Sequence, residues 1–496
     1  MDLSGNVTNG IGQPVRRKED FRLLTGRGRF ADDVRLPGLA HAVIVRSPHA
    51  HARIASVDKA AALASSGVLA VLTGHDYVAD GLALIPHGAG LMGRPDVAVR
   101  VRGFQPITTR DYPMPPNRVR FGGEPVAMVV AETVDQGKDA AELLEIAYEP
   151  LPAVVRAADA VKPGAPRLWD NAPDNLCIDI EVGDEATTAE AFGRAAHIVH
   201  LDTWVQRVTG IPMEPRTTTA DYDPATENYT LYAGSGRGVA KLKLDLAQVL
   251  GVPAEQVRCV CGDMGGNFGT RNFFYPEYAL LTWASRRVGR PVKWTCDRSE
   301  AFLSDYQGRD LTVEAELALD KEGKFLAVRG SNLSNLGGHA TAFVSLQKGL
   351  GLMSCVYCIP IGYFHGRGAV TNTVSTTPYR SAGRPEAIFV IERLIDLAAD
   401  RLGLDPVALR RRNMIPPAAQ PYANPLGITY DSGCYEDAMD TALALADWDA
   451  FRPGATKREN AVNCEVSASP IMSRSPAAPL ASAPRSPCCP KAGSSW

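Results

Sequence analysis

Residues 262–271 read Gly-Asp-Met-Gly-Gly-Asn-Phe-Gly-Thr-Arg and join a predicted strand to a predicted helix. The strand, residues 256–261, carries apolar side chains at alternate positions, and the helix begins at Pro276 and ends at Gly289. A glycine-rich turn of this kind lets the backbone approach a ligand closely and can offer N–H groups to an anion. The simpler alternative is a tight strand-to-helix crossing that needs small residues. We call residues 262–271 the glycine loop.

The glycine loop does not match the familiar phosphate-binding patterns. It contains neither G-x-G-x-x-G nor a glycine followed by Lys and Ser or Thr, which argues against a dinucleotide fingerprint and a P-loop. Phe268 stands between Gly266 and Gly269. A large aromatic side chain in a loop built for close approach needs a packing partner, which is either the protein core or a substrate.

Composition narrows the class of protein. The 496 residues carry a formal net charge of −3, with 45% hydrophobic and 22% charged residues. These values are typical of a soluble globular protein, and the length predicts about three domains. So small a charge gives no electrostatic basis for binding nucleic acid or an anionic membrane. With no apolar run of about 18 residues and no signal peptide, we expect no membrane span and a cytoplasmic location.

The cysteines and histidines predict no metal held by side chains. The ten cysteines are scattered, which is typical of reduced thiols. Cys355 and Cys358 form one C-x-x-C pair without a second pair, which indicates a structural role. His49 and His51 could share one face of a strand, but no third ligand is evident, so the metal-ligand set is predicted to be none.

The first part of the chain is predicted to be a compact α/β domain over residues 20–155, preceded by an irregular arm over residues 1–19. The predicted strands are residues 40–46, 68–73 and 126–131. A helix is expected next, because apolar residues recur at helical spacing from Ala140 to Ala147 and Pro150 would then end the unit.

Residues 156–452 are predicted to form a second region of mixed α/β structure, entered through a proline- and alanine-rich linker at residues 162–172. Its predicted elements are strands at 196–207, 229–233 and 292–296, a helix at 239–250, and a hairpin of residues 311–319 and 325–331. Residues 453–496 are rich in Ser, Pro and Ala and lack periodicity. We expect this tail to be a disordered, low-complexity segment, because it has too few large apolar groups to offset the entropy of ordering.

A second informative stretch, residues 376–385, reads Thr-Thr-Pro-Tyr-Arg-Ser-Ala-Gly-Arg-Pro and directly precedes a long predicted helix. Arg380 and Arg384 flank a Ser-Ala-Gly turn next to the helix N-terminus, an arrangement that suits an anionic ligand. The alternative is a pair of solvent-exposed arginines in ordinary surface ion pairs. We call residues 376–385 the arginine loop.

Together these stretches resemble the molybdenum-binding large subunit of the xanthine dehydrogenase/aldehyde oxidase family of molybdenum hydroxylases. The motifs that carry the resemblance occur in order along the chain, at residues 22–30, 46–52, 123–127, 148–152, 213–216, 265–269 and 379–384. The similarity extends from residue 12 to about residue 450. It implies an N-terminal α/β hammerhead domain followed by the first part of a molybdopterin-binding domain, a mixed α/β (α+β) fold class.

The resemblance also implies a function. The expected enzyme is a molybdenum cofactor-dependent hydroxylase subunit that oxidises an aldehyde or N-heterocycle, with water as the oxygen source. The cofactor would be molybdopterin, as the cytosine dinucleotide, carrying molybdenum. Electrons would pass to 2Fe-2S and FAD centres in partners, an iron–sulfur small subunit and an FAD-binding medium subunit, within a homodimer of heterotrimers. In such enzymes the cofactor supplies the difficult chemistry and the protein orients it.

The resemblance assigns site residues in both loops. In the glycine loop it places Gly265, Gly266, Phe268 and Gly269 beside the metal, with Phe268 packing on substrate. In the arginine loop it assigns cofactor binding to Tyr379, Arg380 and Ser381. Phe268 and Arg380 are the two expected catalytic residues.

Several positions depart from the family pattern. Carbon monoxide dehydrogenases of the family have a cysteine where this chain has Ser381, which argues against carbon monoxide as the substrate. Some relatives have glutamines near positions 208 and 236, where this chain has Val208 and Gly236. The catalytic glutamate base belongs to a C-terminal domain that these residues do not include, which indicates a truncated or frame-shifted reading frame. The alternative function is therefore a non-catalytic remnant or a cofactor-binding scaffold.

Overall fold

The computed structural model describes residues 15–87 and 99–450. Residues 15–29 belong to a small unit of their own, whose helix α1 spans Asp20–Leu24. All further elements described below lie in the larger unit that begins at Phe30. The expected disordered tail, residues 453–496, and most of the expected N-terminal arm lie outside the described residues.

The larger unit contains eighteen described strands. They are β1 (Ala40–Arg46), β2 (Ala52–Asp58), β3 (Val68–Thr73), β4 (Arg100–Val101), β5 (Arg118–Val119), β6 (Pro125–Ala131), β7 (Glu145–Pro150), β8 (Leu176–Gly183), β9 (His197–Thr209), β10 (Thr217–Asp223), β11 (Asn228–Ala233), β12 (Val257–Val260), β13 (Val292–Thr295), β14 (Gln307–Leu319), β15 (Phe325–Gly337), β16 (Ile361–Val370), β17 (Tyr422–Ala423) and β18 (Thr429–Tyr430).

Twelve α-helices are described in the same unit. They are α2 (Ala60–Leu63), α3 (Gly74–Ala79), α4 (Val134–Glu142), α5 (Ala157–Ala160), α6 (Glu185–Gly193), α7 (Val239–Leu250), α8 (Pro276–Val288), α9 (Arg298–Ser304), α10 (Val344–Gly351), α11 (Arg384–Leu402), α12 (Pro406–Asn413) and α13 (Tyr435–Leu445). Within the described ranges, every helix is too short or too polar to cross a lipid bilayer.

A mixed seven-stranded sheet has the order β12-β11-β10-β13-β1-β6-β3. It joins strands from both predicted regions, since β1 pairs in parallel with β13 through Ala40 and Val292. All seven residues of β6 are buried, because helices cover both faces of the sheet. On one face Val129 packs with Ala140 of α4, and on the other Met128 belongs to the core that includes α8.

A six-stranded sheet in the order β4-β8-β16-β15-β14-β9 carries the largest core. The hairpin of β14 and β15 is confirmed, although both strands are longer than expected. Helix α11 packs on this sheet through buried Ile391, Ile395 and Ala398, as its helical spacing predicts. A three-stranded sheet, β5-β2-β7, and the short β17–β18 pair complete the set of described sheets.

One expectation from the sequence is wrong. The helix predicted to run to Ala147 ends at Glu142, and Glu145–Pro150 is strand β7. Residues 145–150 also alternate in polarity, and the alternation prevails because Ile146 and Tyr148 pack in a small core under β2. Within the predicted linker at 162–172, Leu168 and Trp169 are buried in the core of the six-stranded sheet.

Candidate functional site

The glycine loop lies between the end of β12 and the start of α8, as the sequence predicts. Its backbone takes positive φ angles at Gly266, Phe268 and Gly269. This conformation is least favourable at Phe268, because a non-glycine residue with a φ of 53° is held there only by its surroundings. The structure therefore holds Phe268 in a fixed place while leaving its side chain 40% exposed.

The glycines of the loop are explained by neighbouring protein segments. A Cβ atom at Gly265 would lie 2.5 Å from the Cβ of Glu214, and one at Gly269 would lie 2.4 Å from the carbonyl oxygen of Pro378. A Cβ at Gly266 would approach Pro212 at 2.9 Å. The tight-crossing alternative therefore accounts for these glycines without a ligand.

Glu214 holds the glycine loop through several contacts. Its Oε2 accepts the N–H of Gly265 at 2.7 Å and pairs with the guanidinium of Arg271 at 3.4 Å. Its backbone N–H donates to the carbonyl of Gly265 at 3.2 Å, and Arg271 also donates to the carbonyl of Glu214. Because Arg271 is only 1% exposed, the carboxylate of Glu214 is the counter-charge that allows this guanidinium to be buried.

Two backbone N–H groups of the glycine loop already donate hydrogen bonds to protein side chains. Gly265 donates to Glu214, and Gly269 donates to the side-chain oxygen of Asn267 at 3.1 Å. These two glycines therefore do not offer their N–H groups to an anion, contrary to the expectation for a ligand-binding turn.

The arginine loop lies directly against the glycine loop. The N–H of Arg380 donates to the carbonyl of Phe268 at 2.8 Å, and the close approach of Gly269 to Pro378 adds a second contact. Ser381 and Ala382 have φ angles of 74° and 38°, so this turn also holds non-glycine residues in the left-handed region. The structure thus brings together the two stretches that are more than one hundred residues apart in sequence.

The surface shared by the two loops carries the phenyl ring of Phe268 and the guanidinium of Arg380. Phe268, Arg380 and Ser381 are exposed, and Tyr379 is partly buried. Among the described residues, no acidic side chain forms an ion pair with the guanidinium of Arg380. An exposed guanidinium without a protein counter-charge, beside a fixed aromatic ring, fits a ligand that has both a planar ring and negative charge.

A buried ion network lies in the same part of the fold. Glu277, in the first turn of α8, accepts from Arg46 at 2.7 Å and from Arg216, and Arg216 pairs with Asp305 at 2.6 Å. Burial alone would raise the pKa of Glu277, but the guanidinium groups of Arg216 and Arg46 hold that pKa below its ordinary value. The network ties β1 of the first predicted domain to α8 of the second.

The motif at residues 213–216 is divided between these structures. Glu214 braces the glycine loop, Arg216 enters the buried network, and Met213 is 88% exposed. Gly236 borders the glycine loop, where a Cβ atom would lie 2.0 Å from the amide nitrogen of Asn267. With Asn267 in this place, position 236 has no room for a side chain such as glutamine.

The histidines and cysteines singled out in the sequence do not assemble a site. The Nδ1 atom of His51 lies 2.7 Å from the carbonyl oxygen of Pro152 in a loop after β1. None of the described cysteines forms a disulfide, and Cys355 is buried. A different trio lies close together, since ligand-type atoms of Asp111, Glu124 and His339 are within 4.8 Å of one another.

In this buried trio the imidazole of His339 lies between two carboxylates. The two nitrogens of His339 face opposite ways, with Nε2 at 2.9 Å from Glu124 and Nδ1 at 3.3 Å from Asp111. Burial alone would lower the pKa of His339, but the two carboxylates raise it above its ordinary value. The arrangement joins three separate segments of the chain by charge.

Comparison with known proteins identifies the family. The model for a molybdopterin cofactor-binding domain matches residues 168–414, and the model for the aldehyde oxidase and xanthine dehydrogenase a/b hammerhead domain matches residues 25–152. The chain belongs to the aldehyde oxidase and xanthine dehydrogenase family. The mixed α/β fold class and the order of the two domains are thereby confirmed.

Individual members of the family are similar over most of this chain. The carbon monoxide dehydrogenase large chain of Hydrogenophaga pseudoflava is 32% identical over 452 residues, covering 88% of this chain and 54% of the relative. The nicotine 6-hydroxylase large subunit of Paenarthrobacter nicotinovorans is 31% identical over 457 residues, covering 89% and 53%. The structure of quinoline 2-oxidoreductase from Pseudomonas putida 86 superposes with a TM-score of 0.82 at 33% identity, covering 91% and 56%. The chain spans about half the length of the curated relatives it matches.

The sequence motifs indicate the exposed side chains of the site but not the residues that hold the two loops in place. Phe268 and Arg380 stand out from their residue types and their places in the two loops. The contact between the loops, the carboxylate of Glu214 as a brace and the burial of Arg271 emerge only in the folded chain. The acidic residue within the motif at 213–216 is the available signal for Glu214, whereas Arg309 of β14, which supports the arginine loop from behind, carries no sequence signal.

Proposed function

We propose that this member of the aldehyde oxidase and xanthine dehydrogenase family is the cofactor-binding large subunit of a molybdenum hydroxylase. The glycine loop and the arginine loop would together border the molybdopterin. The observation that carries the proposal is the hydrogen bond from the backbone N–H of Arg380 to the carbonyl of Phe268. It brings onto one surface an exposed ring and a guanidinium that forms no ion pair with any of the described residues. When bound, the molybdenum cofactor supplies a two-electron oxidation in which water is the oxygen source.

The side chains of this surface have separable roles in the proposal. Phe268 packs against the flat face of a substrate ring, which restricts its orientation and excludes water from that face. The guanidinium of Arg380 binds negative charge on the cofactor or substrate through directed hydrogen bonds. Gly269 allows the close contact with the arginine loop, and Gly265 and Gly266 allow the contacts of the glycine loop with Glu214 and Pro212. Tyr379 and Ser381 complete the wall of the arginine loop.

The substrate class we propose is an aldehyde or an N-heterocycle. The exposed ring of Phe268 suits a planar substrate, and two relatives are named for nicotine and quinoline. A serine at position 381 carries a hydroxyl in place of the thiol expected for carbon monoxide oxidation. We extend the proposal to the cytosine dinucleotide form of molybdopterin, to 2Fe-2S and FAD partner subunits in a homodimer of heterotrimers, and to a cytoplasmic location.

Cofactor analysis tests the proposal directly. The 496-residue chain is purified from a host that makes molybdopterin, and its molybdenum and acid-released pterin are measured per chain. We expect both in the wild-type protein, and a loss of about tenfold in Arg380→Gln because a charge-assisted contact is removed. Arg393→Gln, which removes another partly exposed arginine paired with Asp396, is the matched control.

Two outcomes would contradict the proposal. A wild-type chain without molybdenum and pterin would overturn cofactor binding, and full retention in Arg380→Gln would remove the role of the arginine loop. Cofactor retention without turnover of aldehydes or N-heterocycles, with partner subunits supplied, would favour a non-catalytic scaffold instead.

A further inference from the structure

Strand β14 contains an unusual backbone feature near its start. Arg309 and Asp310 are consecutive non-glycine residues with φ angles of 63° and 68°. Such residues persist only where their surroundings hold them, and they concentrate at ligand-binding and active sites. The two side chains therefore need partners that fix them.

Asp310 is held by the sheet. Its Oδ2 accepts from Arg207 of β9 at 2.8 Å and from Asn335 of β15 at 3.0 Å, and its Oδ1 accepts the indole N–H of Trp204 at 3.0 Å. Three donors from two neighbouring strands thus fix the backbone of β14 at this point.

Arg309 points to the arginine loop. Its Nη2 donates to the backbone carbonyl of Arg380 at 3.2 Å, and its guanidinium lies 5.1 Å from the ring centre of Tyr379. Its Nη1 lies 3.1 Å from Oε1 of Glu386, a residue of the first turn of α11 whose side chain is 3% exposed. One partly buried guanidinium therefore touches the loop, its aromatic residue and the helix that follows.

The spacing between β14 and the arginine loop leaves little freedom. A Cβ atom at Gly308 would lie 2.3 Å from the Cβ of Tyr379, and the N–H of Thr377 donates to the carbonyl of Gln307 at 2.7 Å. The strand is thus in direct contact with the loop next to Arg309, and Arg309 supplies the contact to the peptide that carries the exposed guanidinium.

We propose that Arg309 is a positioning residue for Arg380. The guanidinium of Arg309 binds the backbone carbonyl of Arg380, so the side chain of Arg380 projects toward the surface shared with Phe268. Glu386 in turn holds Arg309, which couples the loop to the N-terminus of α11. The consequence for cofactor binding rests on the proposed function, whereas the effect on the loop itself does not.

Limited proteolysis of the full chain measures the loop alone. Trypsin can cleave after Arg380, but not after Arg384 because Pro385 follows it. We expect Arg309→Gln to raise the cleavage rate at Arg380 about tenfold, since a charged hydrogen bond to the loop is lost. Glu386→Gln should raise it in the same direction, and Arg309→Lys should give an intermediate rate because the charge opposite Glu386 remains.

The control is Arg329→Gln. Arg329 lies on the neighbouring strand β15, and its guanidinium pairs with the carboxylate of Glu316 at 2.7 Å. This substitution should leave cleavage at Arg380 unchanged. If Arg309→Gln does not fold, the ordering of Arg309→Lys, Glu386→Gln and wild type decides the question. Equal rates at Arg380 in these proteins would overturn the proposal.

Molybdenum content measured on the same variants separates this proposal from the proposed function. We expect Arg309→Lys to retain less molybdenum per chain than Arg329→Gln. Faster cleavage with unchanged molybdenum content would overturn positioning toward the cofactor. A wild-type chain without molybdenum would contradict the proposed function alone, while the cleavage rates would still test whether Arg309 orders the loop.

Discussion

Replacing Glu214 by Gln removes the charge that braces the glycine loop while keeping the shape of the side chain. Two interactions lose strength, the hydrogen bond from Gly265 at 2.7 Å and the ion pair with buried Arg271 at 3.4 Å. A hydrogen bond to a charged group contributes about 1.5–3 kcal/mol. At the lower value for each interaction, the free energy of local opening falls by about 3 kcal/mol, which is a factor of about 100 in the opening equilibrium.

Hydrogen–deuterium exchange of the peptide covering residues 262–271 measures that factor. We expect its slow-exchanging amides to exchange about 100-fold faster in Glu214→Gln than in wild type. Glu316→Gln is the matched control, because it removes a carboxylate paired with Arg329 on the six-stranded sheet. If exchange in the glycine loop is the same in both variants and in wild type, Glu214 does not brace the loop and the argument fails.

Three further substitutions test the contact between the two loops and the buried His339. Gly269→Ala should lower the free energy of unfolding by about 2 kcal/mol or more, since it combines a φ of 94° with a Cβ atom 2.4 Å from the carbonyl oxygen of Pro378. Gly403→Ala is the control, because its φ is 62° and no atom lies near the added Cβ. It should lower the free energy of unfolding, measured by urea denaturation, by about 1 kcal/mol. Equal losses in the two variants would contradict the steric effect of Pro378 on position 269. His339 has a pKa raised above 6.5 by Asp111 and Glu124, so its contribution to stability is complete below pH 6.5 and is lost as pH rises through the raised pKa. Unfolding free energies measured across that range should fall with rising pH in wild type and stay flatter in His339→Gln; equal slopes would contradict the ion bridge.

Several elements of the fold follow directly from sequence. Strands β1 and β3 and helix α7 have the predicted bounds, because each has strong apolar periodicity and a clear terminator such as Gly251, which takes the left-handed conformation. At residues 140–150 a helical spacing of apolar residues overlaps with a strand-like alternation, and the local pattern does not predict which conformation forms. Only the partner strand β2 makes the strand conformation of residues 145–150 the stable one.

The joining of the two predicted regions cannot be read from the chain. The parallel pairing of β1 with β13 depends on backbone hydrogen bonds between edges, and backbone groups are the same for nearly every residue type. The ion network of Arg46, Arg216 and Glu277 likewise requires residues from three distant segments to meet in the interior. Charge type alone does not indicate which partner each will find.

By itself the sequence determined the family, the mixed α/β class and two loops whose residue types suit a ligand. The tertiary structure decided which contacts those loops make. It showed that the glycines serve contacts with Glu214, Pro212 and Pro378, so a glycine-rich pattern alone did not distinguish packing from binding. It also brought Arg380 against Phe268, because folding juxtaposes residues more than one hundred positions apart and no local pattern encodes that contact.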